Sequence, residues 1–145
     1  MRNLKIFFLI LLTIGISSCS NKRKDTNEII GSWKLIFNQI KEGDSIHVKD
    51  LSNIDFIKVI NNTHFSFINQ PKDSFSNFYA GTGTYTFDGE NYIETLKYIE
   101  YKAIRNHQFS FKVKRIGDTL IQYGREKVEA ANLDRDIIEK YLLIK

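Results

Sequence analysis

Residues 108–114 spell Gln-Phe-Ser-Phe-Lys-Val-Lys, and this strict two-residue period limits what the chain can fold into more than any other feature. Phe109, Phe111 and Val113 fall on one face; Ser110, Lys112 and Lys114 fall on the other. A half-buried strand sorts residues this way, because successive side chains of a strand point to opposite sides. Ile116-Gly117-Asp118 then supplies turn chemistry and residues 119–123 return, which predicts a hairpin. The alternation recurs upstream. Residues 83–87 and 91–98 flank Asp88-Gly89-Glu90, and Asp-Gly between alternating runs is a strong hairpin signal. Residues 54–60 and 64–68 flank Asn61-Asn62-Thr63 as a third hairpin, and residues 32–37 make an opening strand. A 13% share of aromatic residues and a single proline, Pro71, suit a β-rich chain.

The C-terminus supports two periods. Val128, Ala131, Ile138, Tyr141 and Leu142 are compatible with a helical face, and residues 137–144 with a last strand. The reading adopted is a turn or short helix over residues 126–133 and then a strand, since a sheet of this size closes better with one more member. About eight strands at short, regular spacing, without a βαβ pattern, predict an all-β antiparallel barrel or sandwich. A barrel of that number holds side chains or one small ligand inside.

The first 19 residues carry a different kind of signal. Arg2 and Lys5 precede an almost wholly apolar run of 11 residues, 6–16, followed by Ser17, Ser18 and Cys19. Basic, apolar and small-residue regions in that order describe a secretory signal peptide. The run is short against the roughly 20 residues that span a bilayer. Ile16-Ser17-Ser18-Cys19 resembles the bacterial lipobox. That resemblance implies a thioether-linked diacylglycerol on Cys19 and an acylated amino group, and two or more chains anchor a protein stably. The other reading is a secreted protein with an incidental cysteine. Lipidation accounts for what would otherwise be a lone free thiol. Cys19 is the only cysteine, so no disulfide is expected, and stability must come from a core. The expected organisation is a lipoprotein signal peptide over 1–18, the lipidated cysteine and a flexible tether over 19–28, and a barrel domain over 29–145. The tether is polar, lacks aromatic residues, and reaches about 30 Å when extended.

Charge follows the same division. Five of the 21 basic residues (Arg2, Lys5, Lys22, Arg23, Lys24) and two of the 17 acidic ones (Asp25, Glu28) precede Ile29. The domain thus sets 16 basic residues against 15 acidic ones, and the pI of 9.1 belongs to the tail. A nucleic-acid partner would need a basic face on the domain, and none is expected. Lys22-Arg23-Lys24 is either a solvated spacer or a contact for anionic headgroups.

Gly31-Ser32-Trp33, at the opening strand, resembles the Gly-x-Trp motif that begins lipocalins. With the central Gly83-Thr84-Tyr85 and a Tyr-bearing last strand, residues 31–145 are similar to the lipocalin-like domains carried on bacterial lipoproteins. The resemblance implies an up-and-down barrel whose base is closed by Trp33, under an arginine from a late strand. Arg125 is the positional candidate for that arginine. The chain is shorter than the long lipocalins of animals and lacks their disulfides, so their ligands do not carry over.

Catalytic and metal signals are sparse. His47, His64 and His107 share no metal-ligand spacing, and no Gly-x-Ser-x-Gly elbow, Walker loop or His-Glu-x-x-His is present. No cofactor, metal or enzymatic activity is expected. Gly81-Thr82-Gly83 suits a bend or bulge at a barrel corner, and Asp134 with Asp136 a solvated turn. Glu94 shares strand parity with Tyr92, Leu96 and Tyr98, and Arg125 with Ile121 and Tyr123. If those faces point inward, Glu94 and Arg125 become polar anchors for an amphipathic ligand, walled by Tyr85, Tyr92, Tyr98 and Tyr123. If they point outward, the charges are solvated or pair with each other, and a parity error of one residue inverts every assignment. Residues 70–77, with Phe75 and then Phe78, form either a lid or an ordinary surface loop.

The expected function is a lipid-anchored envelope lipoprotein whose barrel binds a small apolar or amphipathic molecule. The alternative is a structural or protein-interaction lipoprotein with a filled barrel. Ser20 is not the aspartate that the lipoprotein resemblance associates with inner-membrane retention, and the following run is basic. The outer membrane and its periplasmic face are expected.

Overall fold

The computed structural model describes residues 26–73 and 77–145. The expected signal peptide, Cys19 and the tether up to Asp25 lie outside the described residues, as does Phe75 of the polar loop. Among the described residues nine strands follow one another: β1 (Gly31–Glu42), β2 (Ser45–Val48), β3 (Ile54–Ile60), β4 (His64–Pro71), β5 (Tyr79–Phe87), β6 (Asn91–Ile99), β7 (Gln108–Ile116), β8 (Thr119–Val128) and β9 (Leu133–Leu143). From β3 to β9 each pairs antiparallel with the next, and β9 returns to pair with β1. Strands β1 and β3–β9 therefore close an eight-stranded up-and-down barrel, the lipocalin-like architecture expected. Closure removes the unpaired edges of an open sheet.

Strand β2 is an addition. The first four residues of β1 pair with β3, and its last four pair with β2 along the same edge. All four residues of β2 are exposed, so no buried face writes a two-residue period into its sequence. At the C-terminus the expected turn or short helix narrows to a 3-10 turn, Glu129–Ala131, because β8 runs on to Val128 and β9 already starts at Leu133.

The three hairpin turns anticipated from Asn61-Asn62-Thr63, Asp88-Gly89-Glu90 and Gly117-Asp118 lie at one end, the base. In the Asp88 turn the side chain accepts bonds from the backbone N–H groups of Glu90 and Asn91 and from Asn91 Nδ2, which holds its carboxyl down at about 2. Trp33 is fully buried just inside the base, and its Nε1–H donates to the Ile29 carbonyl at 2.9 Å. Ile29, Ile60, Phe65, Tyr92, Leu120 and Tyr141 are buried with it. Among the described residues, all nine strands and this core fall between Ile29 and Leu143, so the chain from Thr26 onward has a hydrophobic core of its own.

Two register shifts re-aim side chains. One lies in β1 between Leu35 and Phe37, after which Asn38 and Ile40 point inward. The other lies where β5 meets β6: Thr82 pairs with Tyr98 but Gly83 with Leu96, leaving Lys97 as an extra residue. Gly83 permits this approach, since a Cβ built there would meet the Thr95 carbonyl oxygen at 2.0 Å. The shift falls within Gly81-Thr82-Gly83, the stretch read as a bend or bulge, and its extra residue is on the facing strand β6.

Candidate functional site

The barrel encloses a cavity of about 1160 Å³ at the end opposite Trp33. Phe78, Tyr79, the 3-10 turn Lys102–Ile104 and Leu133 surround its mouth. One wall is a run of rings. Phe56 stacks on Phe67 at 5.7 Å between centroids, Phe67 meets Tyr79 edge-on at 6.0 Å, and Phe56 meets Tyr141 at 6.3 Å. Each of these separations lies in the range where aromatic pairs attract.

The depth of the cavity is polar. Lys58 of β3 forms an ion pair with Glu94 of β6, and both side chains are buried. Lys58 Nζ also donates to Gln122 Oε1 of β8 at 2.8 Å. It faces the rings of Tyr92, Phe65 and Tyr141 at 5.2, 5.5 and 5.8 Å, all within cation–π range. The network then reaches Glu139 of β9. Gln122 Nε2 donates to Glu139 Oε2 at 3.3 Å, Tyr141 Oη–H to the same oxygen at 2.6 Å, and Asn38 Nδ2 to Glu139 Oε1 at 3.2 Å. Nearer the mouth Arg135 Nε donates to Glu126 Oε2 at 2.6 Å, a second pair lining the cavity.

Two protonation states are biased by this setting. Burial raises the Glu139 carboxyl above the ordinary range, against the pull of Lys58 and the Tyr141 hydrogen bond. Burial and then the Glu139 carboxylate push the Tyr141 hydroxyl well above its usual value, so it keeps its proton and acts as the donor of that bond. Among the described residues, no grouping of three or more His, Cys, Asp or Glu side chains could hold a metal ion. The arrangement suits binding: an apolar ring wall that ends in a charged, hydrogen-bonded floor.

The sequence candidates divide. Tyr85, Tyr92 and Glu94 point inward, with the two tyrosine rings 5.2 Å apart, but of the three only Glu94 lines the cavity. Tyr85 Oη–H donates to the Asn61 carbonyl in the base turn, and Tyr92 is fully buried beneath Lys58. Three assignments are corrected. Tyr98 is 71% exposed because the β5–β6 bulge reverses strand parity after Leu96. Tyr123 and Arg125 face outward because β8 buries Leu120, Gln122 and Val128, the opposite parity to the one expected. Arg125 pairs with Asp134 on the outer surface at 2.7 Å, which also places the Asp134–Asp136 pair on a strand and not in a turn.

Gly31 and Trp33 occupy the positions that the resemblance implies, with Gly31 so close to Leu143 that a Cβ would come within 2.8 Å of its Cδ1. The arginine over the tryptophan is Arg115 of β7, not Arg125. Its guanidinium lies 5.3 Å from the Trp33 ring and bonds the Glu28 and Gly117 carbonyls at 2.8 Å each. Sequence reasoning missed Asn38, Lys58, Gln122 and Glu139. Lys58 shares parity with Phe56 and Ile60, and Glu139 with Ile137 and Tyr141. A charge between apolar residues of one parity was the available signal.

A scan against protein-family models and a search of curated proteins find no match to this chain.

Proposed function

We propose that this chain is a lipid-anchored envelope lipoprotein whose barrel binds a small apolar or amphipathic molecule, with no catalytic role. What carries the binding reading is the cavity, at about 1160 Å³ with a ring wall and a buried ionic floor. Ligand sites of roughly 300–1,000 Å³, mostly apolar with a few fixed polar groups, are the usual form. A barrel serving only as a scaffold has no need of that volume. The anchor reading rests on Ile16-Ser17-Ser18-Cys19 and its upstream context, and the outer-membrane, periplasmic-face address on Ser20 and the basic run after it.

Native mass spectrometry of the chain from Ser20 onward tests the binding reading. A small molecule should co-purify, or an added apolar fluorophore should bind one to one. Repeated absence of both favours the filled-scaffold alternative. Metabolic labelling with a fatty acid should mark the full chain and not its Cys19→Ala variant; label on both, or on neither, overturns the anchor.

A further inference from the structure

The charged groups lining the cavity are not all paired with one another. Lys58 is matched by Glu94, and Arg135 by Glu126. Glu139 is left over: among the described residues no cation lies within 4.0 Å of its carboxylate, which is held only by hydrogen bonds from Asn38, Gln122 and Tyr141. It is partly accessible and lines the cavity. Asn38 adds to the imbalance. Its amide donates to Glu139, which fixes its orientation and leaves Oδ1 buried without a hydrogen-bond partner among the described residues. A carboxylate and an unanswered carbonyl therefore stand side by side at the floor, in surroundings where an uncompensated acceptor is costly. The wall leading to them is Tyr79, Phe67, Phe56 and Tyr141, whose ring faces attract cations.

We propose that the cavity takes an organic ammonium, an amphiphile whose protonated amine sits against Glu139 and whose apolar body lies along the ring wall. An anionic head would meet both Glu94 and Glu139 at the floor, and Lys58 has no charge to spare for it. A neutral head would leave the Glu139 charge without a counter-ion. This assignment rests on the binding reading above and narrows it to one class of ligand. The other charged groups lining the cavity with Glu139 are Lys58 on β3, Glu94 on β6, Glu126 on β8, Arg135 on β9, and Lys49, Glu100 and Lys102. Lys58 and Arg135 each already have a carboxylate partner, and neither Lys49 nor Lys102 lies within 4.0 Å of the Glu139 carboxylate.

The test is calorimetric titration of the chain from Ser20 with three probes of one length at pH 7: decylammonium, decanol and decanoate. A charge-assisted hydrogen bond is about twice as strong as a neutral one, so decylammonium should bind about tenfold more tightly than decanol, with decanoate weakest. Glu139→Gln should bring the ammonium-to-decanol ratio close to one. The ranking on the unaltered chain needs no variant and stands even if that substitution fails to fold. Equal affinity for decylammonium and decanol, or tightest binding of decanoate, overturns the ammonium assignment while leaving a binding barrel. No binding of any probe overturns the binding reading and this assignment with it.

Discussion

Lys58→Met should destabilise the barrel by about 3 kcal/mol, and the size follows from where the lysine sits. Its side chain is 4% exposed and that of its partner Glu94 is 9% exposed, so little solvent screening applies. Methionine keeps most of the lysine stem volume, so the loss is electrostatic and not a packing void. It strands a buried carboxylate, which typically costs about 3–5 kcal/mol. Both residues line the cavity, and water admitted there sets the expectation at the lower end. For a domain of this size, with a urea slope of about 1–2 kcal/mol per molar, the unfolding midpoint should fall by roughly 2 M. Trp33, the only tryptophan and fully buried, reports unfolding by fluorescence. Glu94→Leu alone should cost a similar amount, because it strands Lys58. The double variant Lys58→Met/Glu94→Leu should recover to within about 1 kcal/mol of the parent, since replacing both members of a buried pair by apolar groups is often neutral or favourable. A loss below about 1 kcal/mol for Lys58→Met, or a double variant as unstable as the two singles combined, would refute the reasoning.

Three further outcomes follow from the same geometry. Gly83→Ala should cost about 2 kcal/mol or more and lower the melting temperature by roughly 10 °C, because its Cβ would collide with the Thr95 carbonyl and the bulge has to shift; an unchanged melt contradicts this. Arg115→Ala should cost about 1 kcal/mol through the lost Trp33 contact, while Arg125→Ala leaves the urea midpoint where it was; the reverse order would return the base arginine to β8. Glu139 has a raised carboxyl pKa, so the native state holds its proton more tightly than the unfolded chain, and stability falls as pH rises from the unfolded value of about 4.5 through the folded one. Glu139→Gln should therefore gain on the parent between pH 4.5 and 7 in urea titrations, and a difference that is flat with pH counts against it.

The placement of Phe109, Phe111 and Val113 was legible because a strand with one buried face must alternate, and β7 buries those three residues. The hairpins were legible because turn residues state their own geometry: Asp88-Gly89 and Asn61-Asn62 sit where β5 meets β6 and β3 meets β4. Parity was the weak point. Along β6 the expected inward face was right for Tyr92 and Glu94 and wrong for Tyr98, since one bulge residue turns the strand over. Along β8 Ile121 and Tyr123 looked as apolar as the buried Leu120, so nothing local ranked the two faces.

Alternation and turn chemistry act between near neighbours, and for that reason the sequence by itself determined that this chain makes strands and hairpins of an antiparallel barrel or sandwich, while the up-and-down order was implied only by the lipocalin resemblance of Gly31-Ser32-Trp33. Closure of the barrel through β1 and β9, the hollow inside it, and the line from Lys58 and Glu94 through Gln122 to Glu139 were decided only by tertiary structure. Those four residues come from four strands spread over more than half the chain, and they meet where polar groups removed from water must find hydrogen bonds or counter-charges inside the fold.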